Sequence, residues 1–259
     1  MSDEVLSERK GSLRIITLNR PERHNAMDDP MSELFQRLLG EALEESDSCA
    51  ILIRANGKSF CSGRDTNVLG HRARDESDFH FVRRHQEGRL RMQESTKPII
   101  AALKGGAIGG GCELALAADM RVSDTTLKMA LPEINYGVLP DTGGTQMMTA
   151  LIGPSRTKYL VMTGQRIDAA TALEWGAVDF VVAPEELDAR ALEIAQEIAA
   201  KPPLNLAMAK EMINLMHGAT IRTGTRAELY AQSYLFKTED YQEARAAIRE
   251  KRVPKYKGK

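Results

Sequence analysis

Residues 104–119 read KGGAIGGGCELALAAD and hold five of the chain's 20 glycines. Glycine weakens helices and strands alike, so such a cluster marks a place where backbone must come close to something. The apolar run KPIIAAL leads into it with the pattern of a buried strand, and good helix-forming residues follow it. The unit is therefore strand, glycine turn, helix, with its first acid, Glu113, in the opening turn of the helix. A helix N-terminus offers N–H donors that lack partners within the helix, and the positive end of the dipole. Such a place suits an anion, or an oxygen that becomes one during reaction. On the cluster alone two readings stay open: close packing with an acid serving the dipole, or a donor site with an acid beside it.

Spacing excludes the common glycine-loop chemistries. A phosphate loop needs G-x-x-x-x-G-K-[ST], but Gly105 and Gly110 are followed by Gly111 and Cys112. A dinucleotide fingerprint needs G-x-G-x-x-G, but Gly109 and Gly111 are followed by Leu114. There is no G-x-S-x-G elbow. The histidines His24, His71, His80, His85 and His217 form no H-E-x-x-H, and they are expected to be solvated rather than metal ligands. Cys49, Cys61 and Cys112 have no C-x-x-C spacing, which points to a reducing, cytoplasmic setting and no zinc site. The 35 basic and 36 acidic residues nearly cancel, which argues against a nucleic-acid partner. The polar start MSDEVLSERKGSL has no signal-peptide core, and no apolar run approaches the roughly 20 residues that span a bilayer.

Around this unit, SLRIITLNRP reads as a strand stopped by Pro21, PMSELFQRLLGEAL as an amphipathic helix, and CAILIRA as a buried strand. Strand, helix, strand in that order predicts right-handed crossover units. Residues 64–80 show no period and are expected to be a loop or irregular helix; VRRHQEGRLRMQEST is expected to be helical and MRVSD a strand. The stretch 126–148 is dense in turn signals, with Pro132, Gly137, Pro140 and Gly143–Gly144. Beyond it, Leu187, Ala191, Ile194, Ala195 and Ile198 share one helix face, and LNLAMAKEMINLM and RAELYAQSYLF read as further helices. The architecture is thus an α/β body followed by a helical part.

A second glycine turn bears on the choice left open above. GKSFCSGRDT follows the strand CAILIRA, and its Phe60–Gly63 bend can present another N–H. A second carboxylate, Glu133, stands in ALPEINYG just after a proline. Two backbone donors and two acids, with no nucleophile and no nucleotide loop, suit proton chemistry beside a carbonyl whose enolate must be stabilised.

These residues resemble the crotonase superfamily, specifically its enoyl-CoA hydratase/isomerase branch. LNRPERHNAM, FCSGRD, GGAIGGGCELALAAD, LPEINYGVLPDTGGTQ, TGQRIDAATALEWGAVDFVV and EKRVPKYKGK stand in that family's order along nearly the whole chain. The resemblance implies a β-β-α spiral domain over residues 1–195 and a helical trimerisation segment over 196–259. It implies an acyl-CoA thioester as substrate and homotrimers or dimers of trimers. It implies no cofactor beyond the coenzyme A of the substrate, and no nucleic-acid or membrane partner. By motif position, the oxyanion hole falls on the backbone N–H groups of Ser62 and Gly110, the loop Ser62–Gly63–Arg64–Asp65 holds CoA and thioester, and Asp65 organises that loop. Glu113 and Glu133 match the two glutamates of the hydratases, Glu113 activating water and Glu133 protonating C2, with the roles open to sharing or exchange. The basic residues Lys251, Arg252 and Lys255 lie either near the CoA phosphates or in a solvated tail. Two departures stand out: Lys104 where the family often has Asn, and Asp141 where many hydratases have Gly. A carboxylate at 141 can bind a polar acyl group, move a proton between C2 and C4, or simply hold a turn. Three functions follow: hydration of a 2-enoyl-CoA, double-bond isomerisation on the same scaffold, or a binding protein with little catalysis.

Overall fold

The computed structural model describes residues 3–68, 75–215 and 218–259. It opens with a hairpin, β1 (Val5–Lys10) antiparallel to β2 (Leu13–Leu18). The sequence pattern showed only the second strand: β1 buries one residue, Val5, and so carries no apolar alternation. Next come α1 (Asp29–Glu44), β3 (Ala50–Ala55), α2 (Asp78–Glu94) and β4 (Ile99–Leu103). The Asp28 carboxylate caps α1 by accepting the Met31 N–H at 3.0 Å, with Pro30 in the first turn.

The glycine cluster yields β5 (Gly106–Ile108) and α3 (Gly110–Leu116), followed by β6 (Met120–Asp124) and β7 (Lys128–Ala130). Then come α4 (Gly144–Thr163), β8 (Ile167–Asp168), α5 (Ala169–Trp175) and β9 (Phe180–Val182). One sheet has the order β1-β2-β3-β4-β6-β9, parallel beyond the hairpin. A smaller sheet has the order β5-β7-β8, in which β5 and β7 run parallel. The turn-rich stretch 126–148 thus ends in a helix that its sequence did not announce. Gly143–Gly144 starts α4, and the helix bends at Gly153, whose φ of 80° precedes Pro154.

The large sheet is covered on both faces, which is why its strands read as continuous apolar runs. Ile16, Leu18, Ile51 and Ile53 enter the larger core with Met31, Phe35 and Leu39 of α1. Leu13, Ile15, Ala50 and Leu52 face the other way, under Leu187, Ala191, Ile194 and Ala195 of α6 (Leu187–Ala199). The boundary expected at 195/196 falls inside α6, and residues 200–202 separate that helix from α7 (Pro203–Leu215), which Pro203 opens. The chain finishes with α8 (Ile221–Leu235) and α9 (Glu239–Glu250). Arg252 then pairs with Glu243 and Glu250, so this part of the basic tail is held by acids of its own chain. No helix of the described residues is long and apolar enough to cross a membrane.

A buried lysine fastens α7 to the body. Lys210 Nζ donates to the carbonyls of Met92 and Lys97 and to Ser95 Oγ, and pairs with Asp119 at 2.9 Å. Burial pushes the two groups in opposite senses, Asp119 up and Lys210 down, so neither tolerates loss of its partner. Lys210→Met should therefore destabilise the fold by about 3 kcal/mol in chemical denaturation. The double variant with Asp119→Asn should recover part of that loss.

Candidate active site

The tip of α3 is where the two sheets deliver their functional groups. The loop Phe60–Asp65 runs beside β5: Phe60 N–H donates to the Lys104 carbonyl at 2.7 Å and Cys61 N–H to that of Gly106 at 2.9 Å. The Cys61 carbonyl in turn accepts the Ile108 N–H at 3.0 Å. This zipper answers why the stretch needs glycine. A Cβ at Gly111 would lie 2.1 Å from the Cys61 carbonyl oxygen, closer than any side chain can sit. At Gly109 the backbone takes φ 55° and ψ −125°, and a Cβ there would lie 3.0 Å from Glu133 Oε1. Gly111→Ala is accordingly expected to lower stability by about 3 kcal/mol, read as a fall in Tm, because main chain rather than a flexible side chain must yield.

The main-chain donors are distributed differently from the sequence-based expectation. Ser62 N–H is taken by the His24 carbonyl at 3.1 Å, and Gly63 N–H by Cys61 Sγ at 3.4 Å. Ser62 therefore does not offer its amide to a ligand. Met27 brackets the next residue: its N–H donates to the Gly63 carbonyl and its carbonyl accepts the Asp65 N–H. In such a parallel bridge the intervening residue turns its own N–H to the opposite side. The Arg64 amide thus faces away from Met27; at its neighbour Gly63, where φ is 91°, a Cβ would lie 2.7 Å from the Ile108 carbonyl oxygen and 3.4 Å from the Gly110 nitrogen, so this loop lies close against the start of α3. Gly110 N–H, in the opening turn of α3, has no acceptor among the described residues.

Asp65 sits where an organising acid would. Its carboxylate accepts the Asn67 N–H at 3.0 Å and the Arg20 guanidinium at 3.1 Å, and these donors hold its pKa below the usual range. Arg20 also pairs with Asp28 and donates to the Ala26 carbonyl, tying the loop to the start of α1. The Arg64 side chain pairs with Asp29 and lies over the Phe81 ring. Cys61, between the two turns, is fully buried; burial pushes its thiol up to about 11, so it is no nucleophile.

Two carboxylates meet here by different routes. Glu113 is 2% exposed on α3, and its Oε1 accepts the backbone N–H groups of Thr142 at 2.8 Å and Gly144 at 2.9 Å. Two donors on one oxygen fix it as an acceptor. Gly144 is required at this contact, since a Cβ would lie 2.8 Å from Glu113 Cγ. Glu133 arrives from the smaller sheet. Because β7 pairs Ala130 with Ile108, the short 3-10 turn Glu133–Tyr136 places Glu133 Oε1 over Gly109. Its Oε2 is buried without a hydrogen-bond partner. Burial raises the Glu133 carboxyl from 4.5 to about 7, its own backbone N–H opposes that, and the charges of Glu113 and Asp141 add to it.

Asp141 is exposed, and its carbonyl accepts Gln86 Nε2 at 2.8 Å. The solvated-histidine expectation fails at His85, which is half-buried with Nδ1 on the Phe81 carbonyl; burial lowers its pKa. His71 and His217 lie outside the described residues. Sequence reasoning missed three elements: the Arg64 amide, the paired amides at Thr142 and Gly144, and a buried arginine, Arg89, beside Gly110. Gly143–Gly144 was the one visible signal for the second of these.

Comparison with known proteins places this geometry. The model of the family described as enoyl-CoA hydratase/isomerase matches residues 8–259. A short-chain-enoyl-CoA hydratase of Clostridium acetobutylicum is 34% identical over 96% of both chains. The crystal structure of an enoyl-CoA hydratase from Bacillus anthracis superposes with a TM-score of 0.92 at 33% identity, covering 99% of this chain and 100% of that one. One from Mycobacterium smegmatis gives a TM-score of 0.87 at 26% identity over 98% of each chain. The fold is that of the crotonase-type hydratases, as the motifs implied. The chain belongs to the enoyl-CoA hydratase/isomerase family.

Proposed function

We propose that this protein adds water across the 2,3 double bond of a 2-enoyl-CoA thioester, and catalyses the reverse dehydration. The reading is carried by one observation: two acids of opposite character meet at the glycine turns. Glu113 is pinned as an acceptor by two backbone N–H groups, and Glu133 is raised to about 7 with a buried, unpartnered oxygen. In this mechanism the thioester oxygen accepts from the Gly110 and Arg64 main-chain N–H groups. Water held between the acids gives a proton to Glu113 and attacks C3. Charge grows on the thioester oxygen, each donor lowering the barrier by about 3 kcal/mol. Glu133 then delivers its proton to C2. The loop Ser62–Asp65 holds the CoA end of the substrate.

Asp141 favours one alternative. Its charge acts on Glu133, and such an acid pair can move a proton from C4 to C2 without net addition of water. Purified protein with crotonyl-CoA decides the matter: loss of enoyl-thioester absorbance with appearance of 3-hydroxybutyryl-CoA supports hydration. Inactivity toward enoyl-CoAs of every chain length would overturn it. The assembly belongs to the same proposal. Ile213, Leu229, Tyr230 and Tyr234 on α7 and α8 are well exposed, and a homotrimer or dimer of trimers would cover such a surface.

A further inference from the structure

The inward face of α2 presents Gly88, Arg89 and Met92. Met92 enters the core, and Gly88 packs against Gln36 of α1. Arg89, only 8% exposed, is directed at the start of α3. One turn earlier Gln86 grips the Asp141 carbonyl, so this face of α2 is clamped between the Gly110 turn and the loop whose amides hold Glu113.

The surroundings of Arg89 are unlike those of a structural arginine. Its single hydrogen bond among the described residues is a long one, Nη2 to the Gly110 carbonyl at 3.4 Å, and its buried Nε has no acceptor. It forms no ion pair within 4.0 Å among those residues; Glu113, Cys61 and Asp141 act on it only at longer range. Arg121 gives the contrast within the same chain. It too is buried, but Nε donates to the Ala177 carbonyl, Nη1 to that of Ala118, and Nη2 pairs with Asp179. A guanidinium cannot shed its proton to relieve burial, so an unmatched one is costly unless an anion arrives. Gly110 connects the two functions, because its carbonyl touches Arg89 while its amide belongs to the proposed donor pair.

We propose that Arg89 is a specificity residue that binds a carboxylate on the acyl chain, so that the preferred substrate is the CoA thioester of a short unsaturated dicarboxylic acid. This rests on the hydratase reading above. The planar fork of the guanidinium suits a carboxylate, and a purely alkyl chain would leave it unmatched. In this proposal the chain is short, because Arg89 reaches the carbonyl of Gly110, the residue whose amide belongs to the proposed donor pair.

The test uses two saturated thioesters that cannot react, butyryl-CoA and the CoA monothioester of pentanedioic acid, titrated calorimetrically into the wild-type protein. The dicarboxylic ligand should bind about ten- to a hundredfold more tightly, the range for a buried charge-assisted hydrogen bond. In Arg89→Met the ratio of the two Kd values should fall toward one, and in Arg89→Lys it should lie between. A wild-type ratio of one or below, or a ratio unmoved in Arg89→Met, overturns the proposal. If Arg89→Met fails to fold by circular dichroism, the wild-type ratio and Arg89→Lys decide. Preferential binding of the diacid without turnover of any enoyl-CoA would sink the hydratase reading and leave Arg89 only as the residue that binds the carboxylate. Hydration of crotonyl-CoA with no diacid preference would do the reverse.

Discussion

Glu113→Gln should lower kcat for enoyl-CoA hydration by roughly 10²- to 10⁴-fold, the range for loss of a positioned general base, while leaving the melting temperature near that of the wild type. The separation follows from how Glu113 is held. Its Oε1 accepts from Thr142 and Gly144, and an amide oxygen accepts equally well. What the amide cannot do is take a proton from water. Glu113→Ala removes both functions: the same loss of rate should come with a fall in stability of about 1–3 kcal/mol, because buried N–H donors lose their acceptor. Kinetics on crotonyl-CoA and thermal denaturation of the two variants give the comparison. A Gln variant retaining a tenth or more of the rate would remove Glu113 from the role of base. Lost hydration with retained isomerisation of a 3-enoyl-CoA would favour the isomerase reading.

What could be read from residue order, and what could not, divides along a physical line. Gly111 announces itself because a Cβ there would strike the Cys61 carbonyl, and the only record of that demand is the residue type. The strands β3 and β4 are equally visible, since a sheet covered on both faces needs an unbroken apolar run. The direction of a main-chain amide leaves no such mark. Whether Ser62 or Arg64 offers its N–H depends on His24 and Met27, some forty residues earlier, and on the alternation their hydrogen bonds impose. Arg89 was hidden among four arginines on α2; only its helical register with Gly88 and Met92 sets it apart, and that register matters once α3 is known to lie beneath it. α4 was missed because Gly143, Gly144, Gly153 and Pro154 carry turn chemistry, which tertiary packing of Met148, Ile152 and Leu160 overrides.

The second large effect is a pH dependence that belongs to Glu133. As proton donor to C2 it must start protonated, and its carboxyl titrates at about 7. Hydration kcat/KM should therefore hold below that value and fall above it, approaching tenfold per pH unit. Glu133→Gln should lose roughly 10²- to 10⁴-fold in rate and lose this alkaline limb as well. Asp141→Asn should move the limb toward lower pH, since the Asp141 charge is one of the causes that raise Glu133. Stability carries an independent signature. The folded pKa lies above the 4.5 of the unfolded chain, so the contribution of Glu133 is fully present below 4.5 and is lost as pH rises through about 7. Relative to wild type, Glu133→Gln should thus gain in Tm as pH rises through that window, even as it loses activity. A variant more active but less stable above neutrality would reverse both signs and place the acid elsewhere. Because burial is the largest cause of the shift, closing water out over Glu133 with a bound thioester should carry its titration higher still, so the limb in kcat should lie above that in kcat/KM.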